Sequence, residues 1–177
     1  MMKRHRPLLP AAVIGFAALL LTAPPVGAID VPQSREEFVR VVASGSRGAK
    51  METFVVERSF DEVYRTLEGR TAPCLDVEVR RTAYVGYVEN SSSDYNPTLR
   101  RLGADRAEFT LQVVHRPRGV GHTPPAGGLY VMAADVKRAG TARTEIVLYR
   151  PTMGFKDVSK RFIQWAEGGT TDCPKLK

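Results

Sequence analysis

Residues 54–64 have the sequence FVVERSFDEVY, in which an extended segment passes directly into a helix. The first half belongs to Met51–Glu57, a segment rich in β-branched and aromatic residues that is typical of a strand. Ser59 and Glu62 then form the S-x-x-E capping box that marks a helix N-terminus. Apolar residues follow at helical spacing up to Gly69, where we expect the helix to end: Phe60, Val63, Tyr64 and Leu67.

Beyond this helix the apolar pattern changes to a period of two, which is typical of strands with one exposed face. The predicted strands are Leu75–Arg80, Ala83–Glu89, Arg106–His115, Leu129–Val136 and Thr144–Arg150. Asn90–Pro97 is polar, and we predict a loop there. Arg116–Gly128 is rich in proline and glycine, so it cannot be regular structure.

Two further helices flank these strands. Ser34 and Glu37 form another capping box, which predicts a short N-terminal helix. Near the C-terminus an apolar stripe predicts an amphipathic helix that ends at Gly168. The stripe consists of Phe155, Val158, Phe162 and Trp165, and it leaves Lys156, Lys160 and Arg161 exposed. A run of strands with helices at its ends predicts an α+β fold with an antiparallel sheet.

This order of elements resembles the START-like, or helix-grip, superfamily of domains that bind lipids and other hydrophobic ligands. The resemblance covers about residues 50–168 and is carried by the strand-to-helix passage Phe54–Tyr64 and by the terminal helix Phe155–Glu167. It implies a curled antiparallel β-sheet with an N-terminal capped helix and a C-terminal helix packed across it. It also implies a cavity between sheet and helix, without implying a reaction.

Five aromatic residues at predicted sheet or helix positions are candidates for lining such a cavity: Tyr84, Tyr87, Phe109, Tyr130 and Trp165. The alternative is that they fill the core, because aromatic side chains bury large apolar areas. A chain of this length forms a core too small to enclose a large empty pocket, so we expect the volume of any cavity to be modest.

The first 28 residues are typical of a secretory signal peptide. The segment starts with the basic residues Lys3, Arg4 and Arg6 and continues with an apolar stretch, Ala11–Leu21. It closes with a group of small residues whose last member is Ala28. The stretch is shorter than the ~20 residues of a membrane-spanning helix, although an uncleaved anchor is the alternative. We therefore expect cleavage near Ala28 and a secreted or periplasmic protein. The predicted organisation is a signal at 1–28, a short helix and linker at 29–49, and a single START-like domain at 50–177.

The chain contains two cysteines, Cys74 and Cys173, both in the exported part. In an oxidising compartment two cysteines are most simply explained by one disulfide, which would bring their Cα atoms within ~7 Å. The alternative is a reactive thiol, but neither cysteine has a C-x-x-C partner or a neighbouring histidine.

Charge and composition narrow the possible partners. With 43% hydrophobic and 25% charged residues, the chain has the composition of a soluble globular protein. The predicted signal removes three basic residues, so the net charge falls from +7 to +4. Several arginines occur in pairs, but these pairs are scattered along the sequence and do not form a continuous basic stripe. We therefore expect no nucleic-acid binding and at most peripheral contact with a membrane. We expect a monomer without cofactor or metal.

Catalytic patterns are weak. His115 and His122 lack partners at zinc-ligand spacing, and no G-x-S-x-G motif supplies a nucleophile.

The leading hypothesis is an exported domain that binds a small hydrophobic or lipid-like ligand between the sheet and the C-terminal helix. The alternative is a non-catalytic envelope interaction protein with a filled core, acting through surface loops such as Arg116–Gly128. A third hypothesis is an enzyme that uses His115 or His122 with Asp135 as an acid/base pair.

Overall fold

The fold is an open six-stranded antiparallel sheet with helices on both faces. The computed structural model describes residues 31–45, 48–84, 88–117, 123–169 and 172–176. In chain order the elements are α1 (Arg35–Ala43), β1 (Ala49–Val56), α2 (Phe60–Leu75), β2 (Val77–Tyr84), β3 (Val88–Arg101), β4 (Arg106–Arg116), β5 (Leu129–Arg138), β6 (Thr144–Pro151) and α3 (Lys156–Glu167). The predicted α+β class with an antiparallel sheet is confirmed.

The strand order is β1-β6-β5-β4-β3-β2, and all neighbouring strands are antiparallel. The first strand therefore pairs with the last, from Ala49 opposite Pro151 to Val56 opposite Thr144. The other strands form a meander that ends at β2 on the far edge. Because β1 and β2 are the two edges, the connection through α2 has to cross the whole width of the sheet.

The two faces of the sheet carry different helices. Side chains of α2 and α3 join the main hydrophobic core with β3, β4, β5 and β6. Helix α1 packs on the opposite face, where Phe38 and Val42 form a second cluster with Ala133 and Tyr149. All of these elements belong to one compact unit, Val31–Lys177.

Helix α3 has the amphipathic character that its sequence predicts. Val158, Phe162 and Trp165 are buried, Phe155 is half-buried, and Lys156 and Lys160 are exposed. The predicted exposure of Arg161 is wrong, because this residue is half-buried and donates a hydrogen bond to the Gln164 side chain. The ring centroids of Phe162 and Phe109 are 4.7 Å apart, which fixes the helix on the sheet. Gly168 ends the helix in the left-handed conformation, with φ of 79°.

Helix α2 begins as predicted but ends later. The Ser59 hydroxyl accepts a hydrogen bond from the Glu62 N–H, and the Glu62 carboxylate accepts one from the Ser59 N–H, so both halves of the capping box are present. The predicted end at Gly69 is wrong, because the helix continues to Leu75. A glycine within a helix costs only about 1 kcal/mol relative to alanine. Burial of the next two turns outweighs that cost through Thr71, Cys74 and Leu75.

Strand β3 contains the segment that we predicted to be a polar loop. Asn90–Pro97 lies within it, so that prediction is wrong. The predicted strand Ala83–Glu89 is likewise divided between the end of β2 and the start of β3. Pairing with two neighbours overrides the weak strand propensity of serine and asparagine, since Tyr95 lies between Val77 and Val113.

The predicted disulfide is confirmed, since Cys74 and Cys173 are bonded and their Cα atoms are 5.1 Å apart. Cys74 lies in the last turn of α2, however, and not at the entrance to a strand. The predicted signal peptide, residues 1–28, lies outside the described residues. Among the helices that the structure describes, none is long and apolar enough to cross a membrane.

Candidate functional site

A cleft of about 290 Å³ opens where α3 begins, and it is the candidate site. Its apolar lining comes from three distant parts of the chain: Tyr95 of β3, Phe155 and Val158 at the start of α3, and Leu176 of the C-terminal tail. Lys156, Asp157 and Lys175 form its polar rim. The volume is close to the lower end of the ~300–1,000 Å³ found for small-molecule pockets.

The backbone before α3 places the aromatic wall of the cleft. Gly154 and Phe155 both adopt left-handed conformations, with φ of 81° and 51°. For a residue with a Cβ this costs about 1–2 kcal/mol, so the packing of Phe155 must compensate. Its ring lies edge-on to that of Tyr95, with the centroids 6.3 Å apart.

The C-terminal tail, residues 172–176, forms the remaining wall. Its disulfide joins it to the end of α2, and the Trp165 indole N–H donates to the Asp172 carbonyl at 3.0 Å. Pro174 is buried, and Leu176 packs against the main core. The tail is therefore tied to both helices, and Leu176 and Lys175 are held at the mouth of the cleft.

The floor of the cleft is uncharged and its rim is cationic. Tyr95 is only 3% exposed, and burial raises the pKa of its phenol above the ordinary value. A smaller adjoining cleft of about 230 Å³ is lined by Asp157, Lys160, Arg161 and Lys175, among others. The arrangement suits an apolar molecule that enters from a polar, mainly positive surface.

The five predicted ligand-binding aromatics do not lie together. Phe109 and Trp165 share the main core and are completely buried. Tyr130 lies on the opposite face, where its ring is 6.0 Å from that of Phe38. Tyr87 and the side chain of Tyr84 lie outside the described part of the structure. The centre of the main core is filled by the largest fully buried side chains, which include Phe60, Phe109, Phe162 and Trp165.

The residues that line the cleft were missed for identifiable reasons. Tyr95 falls in the segment predicted to be a loop. Phe155 and Val158 were assigned to the core stripe of α3, which is correct but incomplete because that stripe also borders the cleft. Leu176 follows the final helix and belongs to no periodic pattern, so local sequence carries no signal for its position.

A buried polar cluster lies on the other face of the sheet and holds α1. Arg35 is 2.6 Å from the Asp135 carboxylate and 3.3 Å from that of Glu108. These carboxylates face each other across β4 and β5, and the Tyr149 hydroxyl donates to Asp135 at 3.2 Å. Burial, followed by the Asp135 charge, raises the pKa of Tyr149. Arg100 and Arg106 also pair with Glu108, each at 3.2 Å, so three guanidinium groups face the two carboxylates and the cluster has a clear structural role.

The proposed acid/base pairing of His115 with Asp135 is wrong. Asp135 lies opposite Glu108, and His115 is seven residues further along β4, roughly 23 Å away at strand spacing. His115 instead contacts the Ser93 hydroxyl at 2.9 Å. His122 lies outside the described residues. Within the part of the chain that the structure describes, no group of three or more histidine, cysteine or acidic side chains could hold a metal ion.

No protein-family model matches the chain, and no curated protein matches it.

Proposed function

We propose that the protein is an exported domain that binds a small hydrophobic or lipid-like ligand in the cleft at the start of α3. The observation that carries this proposal is the cleft itself, which is lined by Tyr95, Phe155, Val158 and Leu176. An apolar cleft with a few polar groups at its rim is the usual form of a small-molecule site. Its modest volume favours a small ligand or one short chain of a larger one.

The order of the elements supports a helix-grip assignment, and we propose that the chain is a START-like domain. Strand β1 pairs with the final strand β6, α2 connects the two edge strands, and α3 follows β6. Helices α2 and α3 share one face of the sheet. In a helix-grip domain, the ligand lies between the sheet and the terminal helix; here the cleft lies at the start of that helix, and Tyr95 of β3 is its wall from the sheet.

The proposed exported location is supported by two independent features. Residues 1–28 have the three parts of a secretory signal, namely a basic start, a short apolar stretch and small residues at the exit. The Cys74–Cys173 disulfide is compatible with an oxidising compartment such as the periplasm or the extracellular space.

Displacement of a fluorescent apolar probe tests the binding proposal. Leu176→Trp places a larger side chain in the cleft, and we expect it to weaken probe binding at least tenfold. Leu102→Trp is the matched control, because Leu102 is exposed in the turn between β3 and β4, away from the cleft. Equal probe affinity for wild type and the Leu176 variant would contradict the proposal.

The filled centre of the core favours one alternative, an envelope interaction protein that acts through its surface. Phe60, Phe109, Phe162 and Trp165 leave that region occupied by side chains. Native mass spectrometry after gentle purification separates the two proposals. A co-purified small molecule that is lost in Leu176→Trp supports the ligand-binding function, whereas a bare chain that also fails to bind the probe supports the alternative.

A further inference from the structure

Two lysines at the mouth of the cleft belong to different segments. Lys156 is the first residue of α3, and Lys175 lies in the C-terminal tail. Both are exposed and both line the cleft. Within the described part of the chain, Lys50 forms an ion pair with Glu52 at 2.8 Å, whereas Lys156 and Lys175 form none. Their ammonium groups therefore remain available to a ligand.

The charge around the mouth is positive on balance. Asp157 contributes the carboxylate of the rim, against the two lysines. The adjoining cleft adds Lys160 and Arg161 and shares Asp157 with the first; of these two cations, Arg161 forms an ion pair among the described residues, with Asp172 at 3.8 Å. The mouth therefore has more cationic than carboxylate side chains, which favours a negatively charged group there. The apolar walls below the mouth would contact an uncharged part of the same ligand.

We propose that the cleft selects an amphiphile with one anionic end, whose apolar part lies between Tyr95 and Leu176 and whose carboxylate, phosphate or sulfonate lies between Lys156 and Lys175. This inference rests on the proposed ligand-binding function and specifies its ligand class. The disulfide is part of the specificity, because it holds the tail that contributes Lys175 to the mouth.

Decanoate and decanol are suitable probes, because they share a chain length and differ in the charged end. We expect wild type to bind decanoate about tenfold more tightly than decanol at low ionic strength, with the preference decreasing as salt screens the exposed lysines. The double variant Lys156→Gln/Lys175→Gln should bind decanol as wild type does and lose the preference for decanoate. Arg143→Gln is the control, since this exposed cation lies at the other end of β6 and should leave the preference unchanged.

The possible results distinguish failure of the proposed selection for an anionic end from failure of the proposed ligand-binding function. Equal affinity of wild type for decanoate and decanol, or a preference that survives in the double variant, would overturn the charge selection and leave ligand binding intact. Failure of both probes to bind would count against the proposed function itself. Binding to phosphatidylglycerol vesicles, but not to phosphatidylcholine vesicles or free decanoate, would also overturn the inference. The lysines would then recognise a membrane surface and not a ligand in the cleft.

Discussion

Replacement of Trp165 with alanine tests whether α3 is held by the core of the protein. Trp165 is fully buried in the cluster that contains Phe109 and Phe162. Truncation of a buried tryptophan leaves a cavity and costs on the order of 3–5 kcal/mol. The variant also loses the indole hydrogen bond to Asp172, but Asp172 is exposed, so water can replace that donor at little cost. We therefore expect a loss of about 4 kcal/mol in the free energy of unfolding.

Urea unfolding of the mature protein with its disulfide intact measures this loss. With a urea dependence of about 2 kcal/mol/M, the midpoint should fall by about 2 M, and the melting temperature by roughly 8–16 °C. Met153→Ala is the control, because Met153 is 86% exposed and should change stability by less than about 0.5 kcal/mol. A loss below about 1 kcal/mol in the Trp165 variant would refute the assignment of α3 to the core.

Three further predictions concern the covalent and ionic contacts. Reduction of the Cys74–Cys173 bond, which spans 99 residues, should cost up to ~4.7 kcal/mol and lower the melting temperature by up to roughly 9–19 °C. Two titratable thiols in the unreduced, denatured mature protein would contradict the pairing. Arg35→Met should destabilise the protein by about 3 kcal/mol in urea unfolding, because it leaves the buried Asp135 carboxylate without its cation. A change below about 1 kcal/mol would show that α1 does not depend on this ion pair. The hydrogen bond from Lys50 and the nearby Arg150 lower the pKa of Glu52. Ionised Glu52 therefore stabilises the fold above about pH 4.3, and this contribution disappears as the pH falls through the folded-state pKa. The stability difference between wild type and Glu52→Gln should therefore decrease as the pH is lowered below about 4.3, and a difference that does not change with pH would contradict the assignment.

Local sequence signals predicted the features that depend on neighbouring residues. The capping box of Ser59 and Glu62 predicts the start of α2, because its hydrogen bonds close within one helical turn. The spacing of Val158, Phe162 and Trp165 likewise predicts the buried face of α3. The number of cysteines, together with the predicted export, was sufficient to identify the disulfide.

Strand pairing decided features that no local pattern could predict. Asn90–Pro97 has the composition of a loop, and it becomes a strand because the neighbouring strands provide hydrogen-bond partners. Tyr130 is a predicted cavity-lining residue, but it lies on the opposite face of the sheet from the main core. Leu111 lies opposite Met132 while Gln112 lies opposite Tyr130, so Val131 is an extra residue in β5. Such a bulge breaks the alternation of side chains and turns Tyr130 toward α1.

The candidate site is the clearest case in which the tertiary structure was decisive. The fold class, the disulfide and the amphipathic terminal helix could be predicted from the sequence, since each follows from residue types and short-range spacing. The cleft requires Tyr95, Phe155 and Leu176 to converge from a strand, a helix start and a tail. Only the paired strands and the disulfide bring these segments together, because the contacts that enclose the cleft join residues far apart along the chain.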